Sequence, residues 1–111
     1  MTTEADRRKL QTYLARPLTD LEDELELYDP SSRGAADVWQ KISGPLRQRL
    51  CVEWDYCNVR QDARLDDDLT LTLLVLSVLT EKALNLPFPV DLALIAVIVV
   101  KRGLDAFCGC L

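Results

Sequence analysis

The stretch Leu69–Val100 decides the fold of this chain; it reads LTLTLLVLSVLT, then EKALNLPFPVD, then LALIAVIVV. Two apolar runs flank a proline-containing turn, and nothing before them is as hydrophobic. Asp66, Asp67 and Asp68 precede the first run, where side-chain capping and the helix dipole both favour acids. Leu69–Leu73 also alternates with period two, but the run is long for a strand and has helix-type ends. Its polar residues Thr70, Ser77 and Glu81 form a thin stripe, so this helix is expected to be buried on most sides. In the second run, Asp91 in the first turn and Lys101–Arg102 in the last match the dipole, and Gly103 can close the helix in the left-handed conformation. Ile95, Val97, Ile98, Val99 and Val100 are β-branched, which keeps open an α+β alternative with a strand near residues 97–100. Leu104–Phe107 can continue the helix.

The residues upstream read as amphipathic helices. A first helix is expected from Thr3 as cap, with Leu10, Tyr13 and Leu14 on one stripe and Pro17 ending it. Thr19–Glu22 has the form of a capping box for a second helix, with Leu21, Leu25 and Tyr28 on its apolar face and Asp29-Pro30 as its stop. From Ala35 onward, Val38, Ile42, Leu46, Leu50 and Trp54 recur every four positions. Ser43-Gly44-Pro45 interrupts this stripe and predicts two helices, with Pro45 in the first turn of the second; one kinked helix is the alternative. Asn58–Ala63 reads as a polar connection. The expected fold is therefore all-α: a single domain over residues 1–111, built as a compact bundle of five or six helices. Amphipathic helices across residues 3–64 wrap a hydrophobic hairpin across residues 65–107, with Leu69–Lys82 and Val90–Arg102 as the central antiparallel pair.

Composition sets limits on function. The chain has 111 residues, 49% hydrophobic and 28% charged, enough to bury a core as one domain. Its 18 acids against 13 bases give a net charge of −5. A duplex nucleic-acid binder needs a basic face, so no nucleic-acid partner is expected. The absence of histidine removes Ser-His-Asp and Cys-His nucleophilic sites, His-ligated zinc and the commonest general base. The four glycines are isolated from any phosphate-binding loop. The acid runs Asp66–Asp68 and Asp20–Glu26 are explained as helix caps and solvated faces. Neither catalytic nor cofactor-binding residues are expected, and the chain reads as non-enzymatic. Trp39, Trp54 and Tyr56, with Arg47, Arg49 and Arg60, are better read as core and snorkelling side chains than as a base-stacking platform.

The N-terminus has charges of both signs and no apolar signal segment, so the four cysteines are expected as free thiols in a reducing, cytoplasmic setting. A four-thiolate zinc site usually has C-x₂₋₄-C in each half, whereas this chain has C-x₅-C and C-x-C. If residues 46–57 are α-helical, Cys51 and Cys57 are turned about 240° apart and cannot share an ion. No metal site is expected; Cys108, Cys110 and Cys57 are the candidates a metal or redox reading would use.

Each apolar run is too short to cross a bilayer, which takes about 20 residues. The leading functional expectation is a protein–protein interaction or adaptor module, acting by self-association as a homo-oligomer or by docking to a partner. Surplus apolar surface on the hairpin carries that expectation. A peripheral membrane protein using the 69–100 hairpin, and a small thiol or metal protein using the tail cysteines, are the alternatives.

Overall fold

The computed structural model describes residues 4–110, and each of its regular elements there is a helix. In order these are α1 (Glu4–Leu14), α2 (Leu18–Glu26), α3 (Ala35–Arg47), a π-helical turn (Gln48–Glu53), α4 (Tyr56–Val59), a 3₁₀ turn (Ala63–Asp66), α5 (Asp68–Glu81), α6 (Leu92–Arg102) and α7 (Leu104–Cys108). The all-α expectation holds, with seven α-helices among the described residues where five or six were expected.

The core is built around α6. Seven consecutive residues, Ala93 to Val99, are buried, none more than 6% exposed. A helix enclosed on every side can be apolar on every side. That enclosure overrides the weak helical propensity of its β-branched residues, and no strand forms near residues 97–100. Helices α1, α2 and α5 pack directly on α6, while α3 packs on α2. The upstream stripes point inward as read: Leu10, Leu21, Leu25, Val38, Ile42, Leu46 and Leu50 are all buried.

Helix α5 is less completely enclosed than α6. Leu71, Thr72, Val75 and Leu79 are buried, and Thr72 Oγ1 donates to the Asp68 carbonyl at 2.6 Å. Leu69, Leu73, Leu74, Leu76 and Val78 are partly buried and pack against the core, and Ser77, Thr80 and Glu81 are exposed, so the helix is buried on most sides as its thin polar stripe implies. Its N-terminus is as expected: Asp67 accepts from the Thr70 N–H and from Thr70 Oγ1, both at 2.9 Å.

Three local expectations are corrected. Thr19 and Glu22 form no capping box, because α2 starts at Leu18 with Pro17 at its N-cap and without a side-chain cap. The Pro17 carbonyl accepts from the N–H groups of Asp20 and Leu21, which places Thr19 inside the first turn. Pro45 does not start a new helix: α3 runs through it to Arg47. So close to the C-terminal end, the proline removes only one N–H from the ladder. The irregularity appears just after it, as a π turn in which the Trp54 N–H bonds the Arg49 carbonyl at 3.0 Å. Asp55 then reverses the chain in the left-handed conformation (φ 57°), which Asp tolerates better than most residues. Helix α4 occupies the first part of the segment read as a polar connection. The Thr3 cap of α1 lies outside the described residues.

Candidate functional site

A groove of about 920 Å³ lies between α1, the C-terminal end of α5 and the N-terminal end of α6. Leu76, Val78, Val90, Leu92 and Ala93 supply apolar lining, and Asp6, Glu81 and Asp91 bring carboxylates to it, with Lys9 the one base. Among the described residues, Glu81 is exposed and makes no ion pair. The groove thus offers an apolar floor beside a net negative rim.

At its edge Asp91 ties α1 to the start of α6. Its side chain caps α6 through the Ala93 N–H at 3.0 Å, receives the Tyr13 hydroxyl at 3.0 Å and pairs with Lys9 Nζ at 2.6 Å. Burial alone would raise the Asp91 carboxyl, but the bonds from Lys9, the Ala93 N–H and Tyr13 outweigh it and hold the group below its ordinary range. The bond to Asp91 raises Lys9. Burial, and then Asp91, pushes up the Tyr13 phenol, and burial likewise raises Tyr28. A carboxylate so occupied, flanked by phenols that hold their protons, is a strut between α1 and α6. It is poorly suited to general-base work, which needs a group poised near the working pH.

Arg49 is the residue whose role sequence reading missed. It sits on the π turn, only 8% exposed, and its guanidinium reaches the C-terminal end of α5. One nitrogen donates to the carbonyls of Val78 (3.3 Å), Leu79 (3.4 Å) and Lys82 (3.1 Å), and the other to Ala83 (3.1 Å). The last carbonyls of a helix lack intrahelical partners, and a cation there also matches the dipole. Its Nε makes no hydrogen bond but lies 3.6 Å from Glu53 Oε1. Nothing in the spacing of residues 46–54 signals this, because an α-helical wheel puts Arg49 off the apolar stripe.

The cysteines are not free thiols. Cys51 bonds Cys108 and Cys57 bonds Cys110, with Cα–Cα distances of 5.3 and 5.4 Å. The expectation of thiols is corrected, and in this state Cys57, Cys108 and Cys110 present no thiolate to an ion. Its failure has a definite cause: residues 46–57 are not one α-helix. The π turn and the left-handed Asp55 bring both cysteines to the side facing the tail. An even cysteine count was the available signal, but pairing is not deducible from sequence.

The aromatic residues separate into two groups. Trp39 meets the Phe107 ring edge-to-face at 5.8 Å, with the Arg102 guanidinium over its own ring at 4.6 Å and Arg47 over Phe107 at 4.9 Å. Trp54 packs on Tyr56 at 5.8 Å, away from the other pair. Members of the acid runs are dispersed too: Glu22 pairs with Arg102 and Glu24 with Arg16. Among the described residues, no group of three or more Cys, Asp or Glu side chains converges in a metal-holding arrangement. Nor is any described helix long and apolar enough to cross a membrane.

Fold and site together define a disulfide-bridged, all-α domain with an acid-rimmed apolar groove. Comparison with protein-family models, curated proteins and solved structures finds no match for this chain.

Proposed function

We propose that this chain is a non-enzymatic helical binding module. It docks a partner protein in the groove between α1, α5 and α6, through a partner segment with apolar side chains flanked by Lys or Arg. The single observation that carries this reading is the outer face of α5. Its leucines are only partly buried although α6 beside it is sealed, and the groove that Leu76 lines carries unneutralised carboxylate at Glu81. Apolar surface rimmed by polar groups is the usual mark of an interaction site. Charge favours a basic partner over a second copy, since two chains of −5 repel while a cationic segment is drawn in. The two bridges favour an oxidising compartment over the cytoplasm.

Peptide-display selection against the bridged protein tests the reading. Expected binders carry paired apolar residues with flanking Lys or Arg, and Glu81→Lys combined with Thr80→Arg weakens them about tenfold or more, as loss of an interfacial charge match does. Binders indifferent to that change and to added salt would remove the groove from consideration. Light scattering is expected to show a monomer, and a stable dimer would replace the hetero-partner with self-association.

A further inference from the structure

Helix α7 is five residues long, well below the length at which a helix holds by itself. Its non-covalent hold on the domain is modest. Leu104 is its only core side chain, Phe107 is half-buried against Trp39 with Arg47 over its ring and donating to its carbonyl at 3.5 Å, and Asp105 pairs with Arg60 at 3.4 Å with its own side chain mostly exposed. The other helices keep a core of their own, because nineteen of the twenty buried hydrophobic residues lie outside α7. What fixes this helix is covalent: one bridge from Cys108 on its last turn, and one from Cys110 just beyond. They lead to Cys51 on the π turn and to Cys57 on α4. All four cysteines are half-buried. Near the bridges Val52 on the π turn is 61% exposed, Val59 on α4 is half-buried and Tyr56 is buried, among exposed polar residues such as Glu53 and Asn58.

We propose that the two bridges form a redox clasp. In oxidising surroundings α7 is locked onto α4; a low-potential dithiol opens both bridges and frees residues 103–110 while α1, α2, α3, α5 and α6 stay folded. A thiolate of the dithiol attacks one sulfur of a bridge, and the displaced cysteine leaves as thiolate and takes up a proton. The second thiol of the dithiol then attacks the mixed disulfide, releasing the other cysteine as a thiol and closing a cyclic disulfide. Two bridges consume two dithiols, so four electrons and four protons move to the protein. Release of α7 uncovers Tyr56 and Val59 near the exposed Val52 and carries Leu104 away on the freed tail, giving the reduced chain a second apolar face distinct from the α5 groove.

Amide exchange of the bridged protein, before and after dithiothreitol, tests the clasp. Peptides covering 103–110 are expected to lose protection once reduced, exchanging about tenfold faster or more, while peptides from α1, α3 and α6 stay protected as folded helices even as the lost bridges lower their global protection. Removal of dithiothreitol in air should restore the slow exchange. The variant with both Cys51→Ser and Cys57→Ser should show the fast 103–110 exchange without reductant and no further change with it. Unchanged exchange at 103–110 after full thiol alkylation would overturn the clasp, because α7 would then hold by packing alone. Loss of protection throughout the reduced protein, or a variant that does not fold, would overturn it in the other direction. Finding four free thiols in the protein isolated under oxidising conditions would do so as well.

Discussion

Two charged side chains do work that their neighbours in sequence do not announce. Arg49 joins the π turn to the end of α5 by serving four carbonyls with one guanidinium, so its loss leaves several acceptors unpaired together. Arg49→Met is expected to lower unfolding free energy by about 3 kcal/mol, read from urea denaturation, with Arg49→Lys in between because it keeps the charge but loses the fork. Asp91 does the corresponding work at the start of α6. Its folded carboxyl lies below the unfolded value near 3.8, so its contribution is present above that value and is lost as pH falls through the folded one. Stability of the native chain should therefore decline below about pH 5. Asp91→Asn, which can still cap, should cost about 1–2 kcal/mol at neutral pH and flatten this acid limb without abolishing it. Asp67, also held low by its bonds from Thr70, continues to titrate.

At the scale of elements, α5 and α6 are about equally apolar overall and have different fates. Both read as apolar helices with an acidic residue at the start, and both acids do cap, at Asp67 and Asp91. Asp67→Ala is expected to cost about 1 kcal/mol by thermal or urea unfolding, the usual loss for an N-cap. Burial separates the two helices. Ile95→Ala or Ile98→Ala on α6 should cost about 3–5 kcal/mol, since each empties space sealed on all sides. Leu73→Ala on the outer half of α5 should cost about 1 kcal/mol, because a half-exposed side chain gives up less. The misread elements failed for local reasons: the Thr19 capping box lost to a helix start set by Pro17, and the proline in α3 left its trace downstream of itself.

Across the whole molecule the bridges set the balance. The Cα radius of gyration is 13.3 Å, close to the value of about 13 Å for a folded chain of this size. The bridges span 57 and 53 residues and interleave, with Cys57 inside the first loop and Cys110 just outside it, so once one is closed the other closes only a short ring. In the chain-entropy account, losing either bridge costs about 2–3 kcal/mol, whereas losing both costs about 7 kcal/mol, more than the two single losses together. Urea unfolding of the two paired Cys→Ser variants and of the four-fold variant checks this. Equal and additive losses would mean that the bridges act through native packing instead of through the unfolded chain.

The sequence by itself determined that this is an all-α chain with its hydrophobic centre in residues 69–100, and it placed acidic helix starts at Asp66–Asp68 and at Asp91. Those are local matters of period, dipole and side-chain reach, written within a few residues of each other. The inward stripe from Leu10 to Leu50 was legible on the same grounds. Only the tertiary structure decided which apolar helix is sealed and which is left half-open, because that depends on how many neighbours each one meets. It also decided that four cysteines become two bridges and that Arg49 closes α5 from 29 or more residues away. One π turn and one left-handed aspartate changed the direction in which residues 49–57 face, and a helical wheel drawn from sequence carries no record of either.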